Sequence, residues 1–447
     1  MAKLLLKNAT LVCPDRIIQS DLLTEDAYIS KIAPSIKDDG AEIIDCESLL
    51  VIPGLIDEHV HFRDPGMPQK ATIFSESRAA VLGGVTSFLD MPNTNPPTVT
   101  EKDLDNKLAV AAKDSAANYG FYLGASGDNL EELKRTDPNK IAGIKVFMGS
   151  TTGNLLVEDE NALVKIFTAS PVVYTTHCEL TSIIDENTKR ARAIYGDDIP
   201  FDVHPIIRNR DCCIKSTQEA INVALGTGAR LHIMHISTKD EVEMLRPYMF
   251  GNAKTRQISG EAVLPHLFFS ECDYQRLGGM LKCNPAVKTE MDRRAIVQAV
   301  EDGVLTTIGT DHAPHEQEKK QGNYMNCASG CTGVQYSLLA LMDLVKRKEL
   351  TLETLVKATS TNVADRFRIK NRGRIQEGFF ADLAIVNPIM PHKVDKKDIA
   401  SSCGWSPFEG HTFQSSVVHT IVSGNVAVRN GKLTDELHGQ ALVFDHN

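Results

Sequence analysis

Two histidines and an arginine occupy alternate positions in the stretch Asp57 to Gly66, DEHVHFRDPG, as His59, His61 and Arg63 directly after an apolar run. Imidazole nitrogens bind divalent cations, and a guanidinium offers a planar fork of donors to a carboxylate, so the segment could be a metal clamp beside an anion binder. LVIPGLIDEHVHF reads as a strand, in which side chains two apart share a face; His59, His61 and Arg63 would then all point the same way. Paired histidines also occur as surface residues or hydrogen-bonded core groups. Companions elsewhere in the chain decide between these readings.

Those companions need elements to carry them to one place. Between residues 54 and 370, short β-rich runs alternate with helix-like segments. The runs are LIDEHVHF, VTSFLDMP, YGFYLGAS, IAGIKVFM, VVYTTHCE, RLHIMHIS, ISGEAVLP and VLTTIGTDHAP. KDLDNKLAVAAKDSAANY, KSTQEAINVALGTG and MDRRAIVQAVEDG have amphipathic helical spacing, and the alternation is that of a parallel (β/α)₈ TIM-like barrel. Such a barrel builds its site at the C-terminal ends of its strands. His59 and His61 close run one, Asn93 follows run two, Lys145 lies in run four, His177 ends run five, His235 ends run six and Asp311 ends run eight. The chemical groups fall at one end of the runs, as a barrel requires.

The rest of the chain has a different rhythm. Residues 3 to 52 read as short strands and turns, and the tail from about 374 repeats that pattern in GRIQEGFFADLAIVNP and SSVVHTIVSGNVAVRNGKL. The expected organisation is α/β: a barrel over 54–373, with a small β-sandwich domain formed by the N- and C-terminal segments, 1–53 and 374–447. A chain of 447 residues, 42% hydrophobic, can bury a core of that size. A formal charge of −10 without a dense Lys/Arg run argues against nucleic acid or an anionic membrane as partner and favours a small-molecule substrate. The N-terminus lacks a signal-peptide pattern and no apolar run approaches a membrane span, so the expectation is a cytoplasmic protein. Ten scattered cysteines without a CxxC read as reduced, mostly structural thiols.

Taken together, HVH at the first strand, a fourth-strand Lys, later single His residues and a last-strand Asp resemble the amidohydrolase superfamily of barrel hydrolases, over nearly the whole chain. Within it, the strings HVHFRDPG, DMPNTNPP and GTDHAPH are similar to the dihydroorotase branch of cyclic amidohydrolases. The resemblance implies two metals, zinc by default: His59, His61 and Asp311 holding one, His177 and His235 the other, with Lys145 bridging. A protonated lysine has no lone pair to offer, so the family's carboxylated lysine, a carbamate on the side-chain nitrogen, is expected at Lys145. An amide carbonyl is a poor electrophile and water a poor nucleophile; two metals would supply a bridging hydroxide and Lewis-acid polarisation, and Asp311 would pass the proton to the departing ring nitrogen.

Arg63, Asn93 and His315 match the family's positions for gripping a substrate carboxylate, and Asn284 in CNPAVK matches a segment that contacts the pyrimidine ring. Thr151 and Thr152 in KVFMGSTTGN resemble a loop that closes over substrate, and Ala328–Gly333 resembles the loop after strand eight. His232, three residues before His235, should be structural, and His204, without a partner pattern, a loop or helix-start residue. The chain departs from many relatives in having the single His266 in VLPHLF and Met234 before His235, which bears on any third metal. The resemblance implies reversible hydrolysis of L-dihydroorotate to N-carbamoyl-L-aspartate in pyrimidine biosynthesis. Allantoinase or another cyclic amidohydrolase is the alternative within the class, and a non-catalytic scaffold relative the alternative outside it. Relatives are often homodimers and some form a complex with aspartate transcarbamoylase, so the resemblance offers both as partners.

Overall fold

The computed structural model describes residues 3–149, 155–434 and 439–446. Its centre is a barrel of eight parallel strands: Leu55–Val60, Val85–Asp90, Asn118–Phe121 continued by Leu123–Gly124, Ile144–Met148, Val173–Cys178, Arg230–Ile233, Ile258–Val263 and Thr307–Gly309. Each lies within a run expected from the sequence, save that the third begins one residue earlier, at Asn118. These runs are apolar almost throughout because a parallel strand between a packed barrel interior and a layer of helices is buried on both faces. The barrel closes where Val60 bridges His312, with the His61 N–H donating to the His312 carbonyl at 2.8 Å.

The helices begin where the sequence supplies caps. Thr72, Thr100 and Thr289 open Ile73–Leu82, Glu101–Asp114 and Glu290–Glu301 with reciprocal capping boxes, and Asn209 caps Arg210–Thr227. Each such cap satisfies backbone donors that the first turn leaves unpaired.

Both ends of the chain meet in one mixed sheet. Its order runs Lys432–Leu433, Asn425–Arg429, Ser416–Val422, Leu383–Asn387, Leu50–Pro53, Lys3–Val12, Ile17–Glu25, Tyr28–Ala33, with Glu42–Asp45 also pairing Lys3–Val12. The two termini join through Leu50–Pro53 and Leu383–Asn387, antiparallel, with Ile52 opposite Ala384. Leu4, Leu6, Leu11, Leu22, Val51, Leu383, Ile385 and Ile421 form the apolar core of this β-domain. The strand Ile17–Glu25 lies between the strand-like segments LLLKNATLVC and AYISKIA that the sequence offers, and is not itself among them, because IIQSDLLTE sets its apolar residues in pairs rather than in alternation.

Two parts of the C-terminal segment reach back to the barrel. Residues 439–446 lie against it, with Leu442 and Phe444 joining Ile56, Leu89, Tyr122 and Phe367 in one buried cluster. Trp405, the one tryptophan, donates its Nε1–H to the His315 carbonyl at 2.7 Å. All ten cysteines are unpaired, and Cys272 alone is exposed. Among the described residues no helix is long and apolar enough to cross a membrane.

Candidate active site

At the C-terminal end of the barrel strands lies a cavity of about 330 Å³ lined by His59, His61, Arg63, Asn93, Lys145, His177, His235, Asn284, Asp311 and His315, together with Lys70, Phe147, Ala313 and Ala328 to Gly330. The candidate residues from seven of the eight runs and the loops after them therefore meet in one place. Thr151 and Thr152 lie outside the described residues.

His59 Nε2 and His61 Nε2 lie 3.3 and 3.2 Å from Asp311 Oδ1. The three residues form a buried group whose ligand atoms all fall within 4.8 Å of one another. Ligand atoms around one zinc, each about 2.0–2.2 Å from it, stand ~2.9–3.4 Å apart at right-angle to tetrahedral geometry, so this donor set fits a divalent ion. His177 Nδ1 and His235 Nε2 converge to 2.8 Å as a second pair, with their rings 4.6 Å apart.

The far side of each ring explains which nitrogen faces inward. His59 Nδ1–H donates to Glu261 Oε2 at 2.9 Å, His61 Nδ1–H to Asn93 Oδ1 at 2.7 Å, and His177 Nε2–H to Glu179 Oε2 at 3.0 Å. A ring nitrogen that donates outward leaves its partner's lone pair free for a metal. Burial holds the imidazoles of His59, His61 and His235 well below the usual histidine range, so they present neutral, ligating nitrogens at neutral pH.

Lys145 is buried, and its amine donates to the Met234 thioether at 3.0 Å, a weak acceptor. Burial lowers its pKa to about 8, so it reaches the uncharged amine far more readily than a lysine in water does. Met234, noted in the sequence as a departure, thus stands against the candidate bridging lysine.

Strand alternation does not place Arg63. The first strand ends at Val60, its register with the second shifts between Asp57 and Val60, and Arg63 takes a left-handed backbone at φ 67°. The turn, rather than the pleat, brings its side chain into the cavity. His235 and Asp311 share that uncommon conformation, at φ 41° and 49°. Three such residues in one cavity are a local concentration of backbone strain of the kind functional sites hold.

Arg63 is 6% exposed, and burial brings its pKa down to about 10, so it stays a cation at neutral pH. Nε donates to the Pro314 carbonyl at 3.1 Å, and Nη2 lies 3.3 Å from His315 Nε2. Among the described residues it forms no ion pair with a carboxylate. Asn284 has a buried Oδ1 without a partner, and the Asn93 amide N–H₂ remains available once its oxygen serves His61.

The residues set aside are structural. His232 is fully buried between Ser259 Oγ at 2.7 Å and Glu58 Oε1 at 3.2 Å; His204 opens the helix His204–Ile207 and bonds Tyr324 and the Cys283 carbonyl. His266 meets the Pro285 carbonyl at 3.0 Å and does not line the cavity. Sequence reasoning missed Glu261, Glu179 and Lys70. Glu261 carried a signal, as the single charged residue of the strand ISGEAV, and Glu179 follows His177 at the same-face spacing of two. Lys70 carried none.

Residues 50–427 match the Amidohydrolase family. The chain is 33% identical over 430 residues to a dihydroorotase of Methanosphaera stadtmanae, covering 95% of this chain and 96% of that one. It is 30% identical over 447 residues to an allantoinase of Desulfitobacterium hafniense, covering 98% of each. Among solved structures, the L-hydantoinase (dihydropyrimidinase) from Arthrobacter aurescens superposes with a TM-score of 0.93 at 27% identity, covering 99% of this chain and 100% of that one. With the barrel, the ligand set and these similarities in agreement, the chain belongs to the amidohydrolase family, as an enzyme of the hydrolase class.

Proposed function

We propose that the protein is a dihydroorotase: a cyclic amidohydrolase that opens L-dihydroorotate to N-carbamoyl-L-aspartate and closes it again in pyrimidine biosynthesis. The observation that carries this reading is the buried, unpaired Arg63 in the cavity, with Lys70 and His315 beside it. A desolvated guanidinium without a carboxylate of its own is a receptor for one on the substrate. Allantoin and hydantoin carry no carboxylate to fill it.

When bound, two zinc ions would supply an activated water and polarise the ring carbonyl. His59, His61 and Asp311 would hold one, and His177 and His235 the other. Lys145 would bridge them as a carbamate, formed when its uncharged amine adds to carbon dioxide and releases a proton. Arg63, helped by Lys70 and the Asn93 amide, holds the substrate carboxylate and so fixes the ring against the four imidazoles. Asn284 Oδ1 accepts from a ring N–H. Asp311 takes the proton lost by the attacking water and gives it to the ring nitrogen as the C–N bond breaks.

The test is turnover of L-dihydroorotate, allantoin and dihydrouracil by purified protein, before and after chelation and after zinc is restored. Dihydroorotate should be the substrate, its turnover abolished by chelation and recovered with zinc. Turnover of allantoin without dihydroorotate would refute the assignment, and turnover of none would favour a scaffold. Arg63→Met should lower kcat/KM on dihydroorotate ~30-fold or more, from the roughly 2–5 kcal/mol lost when a buried charge pair is broken. Its metal content should equal that of the wild type; a parallel loss of metal would remove the carboxylate role.

A further inference from the structure

Glu261 sits on the seventh barrel strand, Ile258–Val263, and is fully buried. Its Oε2 accepts two hydrogen bonds, from His59 Nδ1–H at 2.9 Å and from the backbone N–H of His235 at 2.9 Å. One oxygen thus touches a member of each candidate metal-binding pair. The other groups behind the imidazoles serve one ring each: Asn93 serves His61, and Glu179 serves His177.

Two further features are organised around this carboxylate. His235 has a left-handed backbone at φ 41°, a conformation unfavourable for a residue with a Cβ, and the bond to Glu261 ties its N–H in that geometry. On the neighbouring eighth strand, Gly309 is not among the glycines of positive φ, so its missing Cβ serves space rather than backbone freedom. A Cβ there would overlap Glu261 Oε1 and come within 3.1 Å of His59 Cβ. The glycine keeps open the seat that the carboxylate occupies.

We propose that Glu261 is a positioning residue that couples the two metal-binding halves of the site. It fixes the tautomer of His59, turning the Nε2 lone pair inward, and it pins the backbone from which the His235 ring projects. Gly309 is its steric complement. The inference rests on the metal reading above and adds that both halves answer to one side chain.

The experiment titrates full-length, chelator-stripped protein with Co²⁺, followed by its visible absorption, and with Zn²⁺ in competition with a chromophoric chelator. The wild type should take up two equivalents. Glu261→Ala should weaken both by ~10–100-fold, the usual loss when a group orienting a ligand is removed. Glu179→Ala should weaken one. Gly309→Ala should reproduce the Glu261→Ala defect with the carboxylate still in the chain, and Glu261→Gln, whose amide oxygen can still accept, should fall between. Circular dichroism of the metal-free forms checks folding; if Glu261→Ala does not fold, Glu261→Gln and Gly309→Ala decide. Wild-type affinity and cobalt spectrum in the Glu261 variants, or a loss confined to one equivalent, would overturn the coupling. A wild-type chain that binds neither metal would overturn the metal reading beneath it.

Discussion

Lys70 and Arg63 bring two cations to one cavity wall, and neither has an ion-pair partner among the described residues. Burial, with Arg63 next, holds the Lys70 amine below the ordinary lysine range; Arg63 itself titrates only near pH 10. His315, pushed down to about 2 by burial and by Arg63, is neutral at physiological pH. Within the proposed carboxylate grip, Arg63 and His315 therefore do not titrate between pH 6 and 8, so their share of KM for dihydroorotate should stay level there, and KM should rise in alkali as Lys70 and Arg63 lose their protons. For Lys70→Met, KM should rise ~5–10-fold with kcat nearly unchanged, as expected for loss of about 1–1.4 kcal/mol of partly screened charge attraction. Steady-state kinetics at low and moderate ionic strength read both effects, and an unchanged KM would leave Lys70 a mere wall residue. At this scale the sequence was informative about residue types. It could not reveal that Asn93 also steadies His61, because that depends on a 2.7 Å contact between two strand ends.

The elements supply that precision, and the first and eighth strands show how. Asp57 Oδ1 accepts from the backbone N–H groups of His59 and Thr310 at 3.2 and 3.0 Å, while Oδ2 accepts from Thr310 Oγ1 at 2.5 Å. These bonds clip the two strands together beside the register shift and hold His59 and Asp311 at matching heights. Asp57→Ala leaves two buried N–H groups without partners, and should cost about 1–3 kcal/mol for each left unsatisfied. Urea unfolding would measure that loss, and dihydroorotate turnover should fall with it; full activity would show that the clip is not needed for the site. Each barrel strand coincides with an apolar run of the sequence, since burial on both faces forces continuous hydrophobicity. Periodicity was blind to the turn that aims Arg63, whose geometry comes from a left-handed backbone rather than from alternation, and to Ile17–Glu25, whose pattern has no period of two.

Across the whole molecule, barrel and β-domain are joined by a buried polar knot. Asp382 Oδ1 accepts from Asn118 Nδ2 at 3.0 Å and from the Ser423 N–H at 2.8 Å, and its Oδ2 pairs with the Arg372 guanidinium. Asn118 belongs to the third barrel strand, and Asp382 and Ser423 flank strands of the terminal sheet. Asp382→Ala would strand the Arg372 charge and should destabilise the protein by about 3–5 kcal/mol, the cost of removing one partner of a buried pair. A thermal melt lowered by several degrees would register it, and an unchanged melt would show that the two layers are held by apolar packing alone. Trp405 makes a second join, since its bond to the His315 carbonyl carries the C-terminal segment to the rim of the cavity.

By itself the sequence determined the candidate chemistry and its carrier: eight apolar runs, five of them bearing candidate metal ligands, and an arginine placed two beyond the second histidine. Both follow from local rules, burial on two faces of a strand and the fixed donor set of each side chain. Only the tertiary structure decided how those donors are aimed. Glu261, Asp57 and Gly309 meet residues up to 253 positions away, across strands that become neighbours when the barrel closes. Such contacts follow from packing and leave no period in the chain, so the groups proposed to do the chemistry are visible in the sequence while most of those that hold them in place are not.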